Sequence, residues 1–179
     1  MSQIQHGLTK SEYLRFREPY LPTPCKVIFV FESPPNTGKY FYKREKIDGE
    51  QLFYAMMKQI LGIKPGTKDE GLRAFADGGY LLLDATYTPV NGLPEGRVRD
   101  KIIEDDFPLL IEELNKYAGP NTKVIVVKKN VCNLLVQKLK HLKQFQVLNA
   151  DKIVPYPGCG QQTKFGNMVR PMLGLEPLY

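Results

Sequence analysis

Two carboxylates stand where apolar runs stop. Glu32 follows Lys26-Val27-Ile28-Phe29-Val30-Phe31, and Asp84 closes Tyr80-Leu81-Leu82-Leu83. Each run reads as a buried strand. Pro34 and Pro35 after the first cannot continue a ladder, and a turn-rich loop follows the second. In open α/β sheets, ligands bind outside the carboxyl ends of the strands. A carboxylate there can orient or deprotonate water, or accept a hydrogen bond from a ring N–H. It can equally cap its own loop by accepting backbone N–H groups. Tyr40-Phe41-Tyr42 crowd the segment after Glu32, a setting that suits a planar ring.

A third chemistry-bearing segment reads Val154-Pro155-Tyr156-Pro157-Gly158-Cys159-Gly160-Gln161-Gln162-Thr163-Lys164-Phe165. Gly158 and Gly160 precede a helix start and let backbone approach a ligand closely. The N–H groups and positive dipole end of that helix suit a phosphate. Lys164 in its first turn opposes the dipole, which an anionic partner would offset. The candidate phosphate-contacting set is therefore Gly158, Gly160, Gln161, Gln162 and Lys164. Cys159 has no neighbouring His to activate it as a nucleophile. His6 falls in the N-terminal tail and His141 in a Lys-rich helix, so neither reads as catalytic.

The elements that must position these residues alternate between strand and helix. Strands are expected over 26–31, 80–84, 123–127 and 145–148. Helices are expected over 11–17, capped by Thr9 or Ser11, and over 49–61, 69–76, 97–117, 130–142 and 162–173. Pro108 kinks or restarts the long one. Residues 1–24 form a lead-in whose 18–24 part, with three prolines, is expected to be extended and non-helical. The alternation predicts an α/β fold, a three-layer α/β/α sandwich around a four-stranded parallel sheet. Topology then gathers the loops 32–42, 84–94 and 154–164 at one sheet edge.

The 179 residues suit one domain, residues 1–179, with a sizeable core. A hydrophobic share of 42% and a charged share of 25% are those of a soluble globular protein. No apolar run approaches the roughly 20 residues of a membrane-spanning helix, and no signal peptide is visible. The expectation is a cytoplasmic monomer without a membrane partner. Cys25, Cys132 and Cys159 are scattered and odd in number, which reads as reduced thiols with no metal site. Net charge is +6, and from Asn121 onward there are nine Lys or Arg against two acids. Such local basicity attracts polyanions, nucleic acid first among them.

The order and spacing of these motifs resemble the uracil-DNA glycosylase superfamily over about residues 26–173. Phe31-Glu32-Ser33-Pro34-Pro35 resembles the family's first motif, nearest to the Gly-Glu-Ala-Pro-Gly of its iron–sulfur-bearing branch. Gly38-Lys39-Tyr40-Phe41 is similar to a segment whose Phe stacks on the flipped base. Asp84 stands at the place of an Asn that reads the base edge, and Tyr156-Pro157-Gly158 at that of His-Pro-Ser. The resemblance implies a DNA partner and hydrolysis of the N-glycosidic bond of a flipped, modified or deaminated base. It implies catalytic roles for Glu32, Asp84 and Tyr156. The base-binding set would be Ser33, Pro34, Phe41, Tyr42, Tyr87 and Asn91, with the 158–164 loop on the strand. Departures are also visible. The motif His is Tyr156, and the four cluster cysteines are missing, so no cofactor is expected. An ionised Asp84 only accepts hydrogen bonds, which favours a base offering an amino group. Two other readings stand beside this one. One is a non-catalytic nucleic-acid or nucleotide binder. The other is an unrelated α/β hydrolase or small-nucleotide enzyme using the same carboxylates, with or without a divalent metal.

Overall fold

The computed structural model describes residues 8–45 and 50–178. Four parallel strands form one sheet in the order β2-β1-β3-β4: β1 (Val27–Phe31), β2 (Tyr80–Asp84), β3 (Lys123–Val126) and β4 (Gln146–Val147). Every residue of β1 is buried, as expected of a central strand covered on both faces. Phe31 is in register with Asp84. Glu32 and Asp84 therefore emerge from adjacent strand ends.

Successive β1 side chains alternate between faces. Phe29 meets Phe75, Tyr80 and Phe165 at ring-centroid distances of 6.3, 6.2 and 6.5 Å. Phe75 belongs to α3 (Lys68–Asp77) and Phe165 to α7 (Gln162–Met172). This layer also holds α2 (Gln51–Met56), which runs on as a π-turn over Met57–Leu61. The 49–61 expectation thus resolves into two segments, and its first residue lies outside the described residues. The other helices are α4 (Arg97–Asp105), α5 (Phe107–Tyr117) and α6 (Lys129–Leu142). The expected 97–117 helix breaks at Asp106, and Pro108 sits in the first turn of α5, where its missing N–H costs nothing.

The N-terminal segment corrects one expectation. Helix α1 (Lys10–Arg17) starts with a capping box between Thr9 and Glu12. Residues Glu18–Tyr20 then form a 3₁₀ turn with Pro19 at its start. Proline forbids a helix interior but not a first turn, so this part of 18–24 is not extended. Tyr13, Arg17 and Tyr20 are fully buried, so α1 belongs to the core rather than leading into it.

Strand β2 is one edge of the sheet, and its Leu82 N–H donates to the Tyr42 hydroxyl at 2.8 Å. That satisfies a backbone group an edge would otherwise leave open. Strand β4 is shorter than the expected 145–148, and Val127 forms a single bridge to Val154. Among the described residues, no helix is long and apolar enough to cross a membrane.

Candidate functional site

At the carboxyl ends of β1 and β2 lies a cleft of about 480 Å³, within the size range of small-molecule sites. All three expected loops reach it. The first supplies Glu32, Ser33, Pro34 and Phe41, the second Asn91, and the third Tyr156 and Cys159. Asp84 lines it from the end of β2, and residues 50–53 add a further wall.

Glu32 is 6% exposed and held from three directions. The Lys128 ammonium lies 2.6 Å from Oε1, the Asn130 amide donates to Oε2 at 2.5 Å, and Arg99 Nη1 stands 3.6 Å from Oε1. Arg99 also donates through Nη2 to the carbonyls of Leu93 and Asn91. One guanidinium thus ties Glu32 to the second loop. Buried carboxylates need such partners, and charge-assisted hydrogen bonds are the strong ones.

Asp84 is the opposite case. It is 3% exposed, and its Oδ2 has no hydrogen-bond partner among the described residues. Burial pushes its carboxyl up to about 8; Arg17 pulls it down and Glu113 pushes it up. Arg17 and Glu113 are paired with each other at 2.6 Å, so neither neutralises Asp84 outright. At pH 7 the group is then mostly the neutral acid, with one O–H donor and one carbonyl acceptor. A carboxyl raised in this way differs from the ionised, acceptor-only Asp84 of the sequence reading.

Tyr156 stands edge-on to Phe31, with ring centroids 6.0 Å apart. Burial pushes its hydroxyl up to about 12, so it keeps its proton and can donate. Gly158 packs on this ring, where an added Cβ would fall 2.6 Å from Cε1. Phe41 forms a cleft wall, and edge-on contacts with Tyr42 at 4.9 Å and Phe75 at 5.3 Å fix its plane. The loop carrying Phe41 is stapled in turn. Lys68 donates to the Tyr40 carbonyl at 2.8 Å and pairs with Glu50 at 2.7 Å.

Other expected residues lie elsewhere. Tyr42 is core, with its hydroxyl committed to β2, so it is not a cleft stacking platform. Tyr87 lies behind Asp84, accepting from Arg17 at 2.6 Å and donating to Glu113 at 2.8 Å. That network leaves its hydroxyl no role on a base. Ser33 and Asn91 line the cleft but also lock loops together. Ser33 Oγ accepts the Val90 N–H at 3.2 Å, and Asn91 exchanges hydrogen bonds with Asn36. Gly158, Gly160, Gln161, Gln162 and Lys164 do not line the cleft. Gln162 and Thr163 border a second groove of about 490 Å³ with Tyr54 and Lys58, and Glu50 and Gln51 belong to both. No side chain caps the start of α7, so its first N–H groups stay available to an anion. Lys164 is exposed beside them.

The residues missed in the sequence are Lys128, Asn130 and Arg99. Lys128 and Asn130 follow β3 just as Glu32 follows β1, and that position was their signal. Arg99 gave none, since it sits on a helix whose sequence reads as amphipathic. The orphaned buried side-chain atoms among the described residues are Tyr13 OH, Tyr40 OH, Asp84 Oδ2, Arg99 Nε and Asn130 Oδ1. All belong to Asp84, to tyrosines in its field, or to the partners of Glu32. Each such group calls for an explanation, and these five gather around the two carboxylates. No group of three or more His, Cys, Asp or Glu among the described residues is arranged to hold a metal ion.

Compared with protein-family models, curated proteins and solved structures, the chain finds no significant match.

Proposed function

We propose that this protein binds DNA and hydrolyses the N-glycosidic bond of a flipped, modified or deaminated base. One observation carries the reading. Glu32 and Asp84, from neighbouring strand ends, share a single cleft walled by Phe41, Pro34 and Tyr156. A flat heterocycle entering it meets Phe41 along its face and Asp84 at its edge. The neutral Asp84 acid offers a donor and an acceptor side by side, as an amide does. A base presenting the complementary pair, a carbonyl next to a ring N–H, then fits better than one presenting an amino group. Glu32 orients the attacking water, and its negative charge stabilises the cationic sugar as the base departs. Tyr156 donates to the leaving base. The phosphates run past the uncapped start of α7 and Lys164.

A second reading has its own observation. Both oxygens of Glu32 are already engaged by Lys128, Asn130 and Arg99. Such a carboxylate serves as well to hold three loops in place for binding alone.

The test is base release from single- and double-stranded oligonucleotides carrying uracil, hypoxanthine, xanthine or an alkylated base, with Glu32→Gln alongside. Release by the parent, reduced by about 100-fold or more in the variant, supports glycosylase action. Salt-dependent binding with no release from any substrate moves the assignment to a binding protein.

A further inference from the structure

Lys128 occupies the turn between β3 and α6 with φ +85° and ψ 137°. Residues bearing a side chain avoid this conformation, whereas glycine adopts it freely. The turn is fixed from both sides. The Lys128 N–H donates to the Val154 carbonyl at 2.8 Å, and its own carbonyl accepts the Cys132 N–H at 2.9 Å. The chain nevertheless places a lysine there, and its ammonium lies in the cleft 2.6 Å from Glu32 Oε1. Its side chain is 28% exposed, so an entering ligand can reach it. Strain that the surroundings over-determine, on a residue lining a cleft, points to a use for that side chain. An amine beside a carboxylate that can take and return its proton is equipped to attack carbon and form an imine.

We infer that Lys128 is a covalent nucleophile at C1′ of the bound nucleotide, giving the protein an imine-forming, strand-cleaving activity in addition to base removal. The inference rests on the N-glycosyl reading of the cleft. In the first step the ammonium passes a proton to Glu32, and Nζ attacks C1′. The C1′–N bond breaks, and its electron pair leaves with the base, which takes that proton. The C1′–O4′ bond then opens. O4′ takes a second ammonium proton, and the third stays on the C1′=Nζ iminium. Atoms and charge balance with no outside reagent. Glu32 next removes a proton from C2′, the C3′–O bond breaks, and the 3′ phosphate leaves with the bonding pair and takes that proton from Glu32. Water finally hydrolyses the imine and returns the lysine.

The test adds sodium borohydride to the parent protein with oligonucleotides carrying one abasic site, while base release is followed separately on intact substrates. The expected result is a reduced, covalent protein–DNA adduct whose peptide maps to Lys128. In Lys128→Arg, which keeps a cation beside Glu32, adduct yield falls by about tenfold or more, with folding checked by thermal melting. Peptide mapping on the parent keeps the test decisive even if that variant is unstable. No adduct, or an adduct mapping to Lys39 or another amine, overturns the inference. Base release without an adduct sinks the lysine step and leaves the glycosylase reading standing. An adduct at Lys128 with no base release from any intact substrate overturns the displacement of the base by Lys128, and the glycosylase reading with it.

Discussion

The neighbourhoods of Glu32 and Asp84 are built from the same sequence pattern and surround their carboxylates with opposite kinds of partner. Each carboxylate ends an apolar strand, and both face one cleft. Glu32 gathers Lys128 from the β3–α6 turn, Asn130 from the first turn of α6 and Arg99 from α4. Asp84 is met by tyrosines and by an arginine already paired to Glu113. The first group is surrounded by donors and cations, whereas burial raises the second toward its neutral form. A strand-end carboxylate is thus given its chemistry by the elements behind it, which its own strand does not specify.

The contrast can be broken most severely at Glu32. Glu32→Ala leaves Lys128 and Arg99 without their shared anion, and stability should fall by about 3–5 kcal/mol. Glu32→Gln should lose less, because it keeps the shape and one acceptor. Urea denaturation of both variants measures the gap, and equal losses would mean the charge contributes nothing.

Asp84 sharpens the comparison through pH. Its carboxyl is raised in the folded state to about 8, so between the usual carboxylate range and about 8 the native protein holds the proton more tightly than the unfolded chain. Stability from this group is full at low pH and is lost as pH rises to about 8. The slope is about 1.4 kcal/mol per pH unit. Asp84→Asn should remove that slope and be the more stable protein at pH 8. Parallel slopes for parent and variant would place the proton elsewhere.

Smaller effects test the supports. Lys128→Gly and Lys128→Ala both delete the ion pair, but only glycine relieves the positive φ. The glycine variant should be the more stable by about 1–2 kcal/mol, read as a shift in melting temperature. Gly158→Ala should cost about 1 kcal/mol, because its methyl displaces the half-exposed Tyr156 ring. Unchanged melting would show that the ring gives way freely.

Much of this was legible in the chain. The β-branched run 27–31 and the repeat of its design at 80–84 announced a parallel sheet, because only a strand covered on both faces is apolar throughout. The carboxylates and the loops bringing Phe41 and Tyr156 to the cleft followed from where those runs stop. What stayed hidden depends on tertiary partners. Tyr42 and Phe41 are neighbours with the same local pattern, and only packing decides that one hydroxyl serves Leu82 while the other ring faces the cleft. Tyr87 looked free until Arg17 and Glu113, far away in sequence, claimed it. The proton on Asp84 was invisible for the same reason, since burial is a property of the fold.

The placement of α1 carries a consequence for anyone shortening this chain. Tyr13 packs edge-on against Tyr40 at 4.8 Å, and Arg17 bonds Glu113 and Tyr87. The helix therefore packs behind Asp84, with Tyr13 and Arg17 both in its field. A chain trimmed to begin at β1 keeps every residue of the sheet and of the three loops, yet admits solvent behind the cleft. Asp84 would then become an ordinary surface acid, and the site would change its chemistry without losing a single one of its lining side chains.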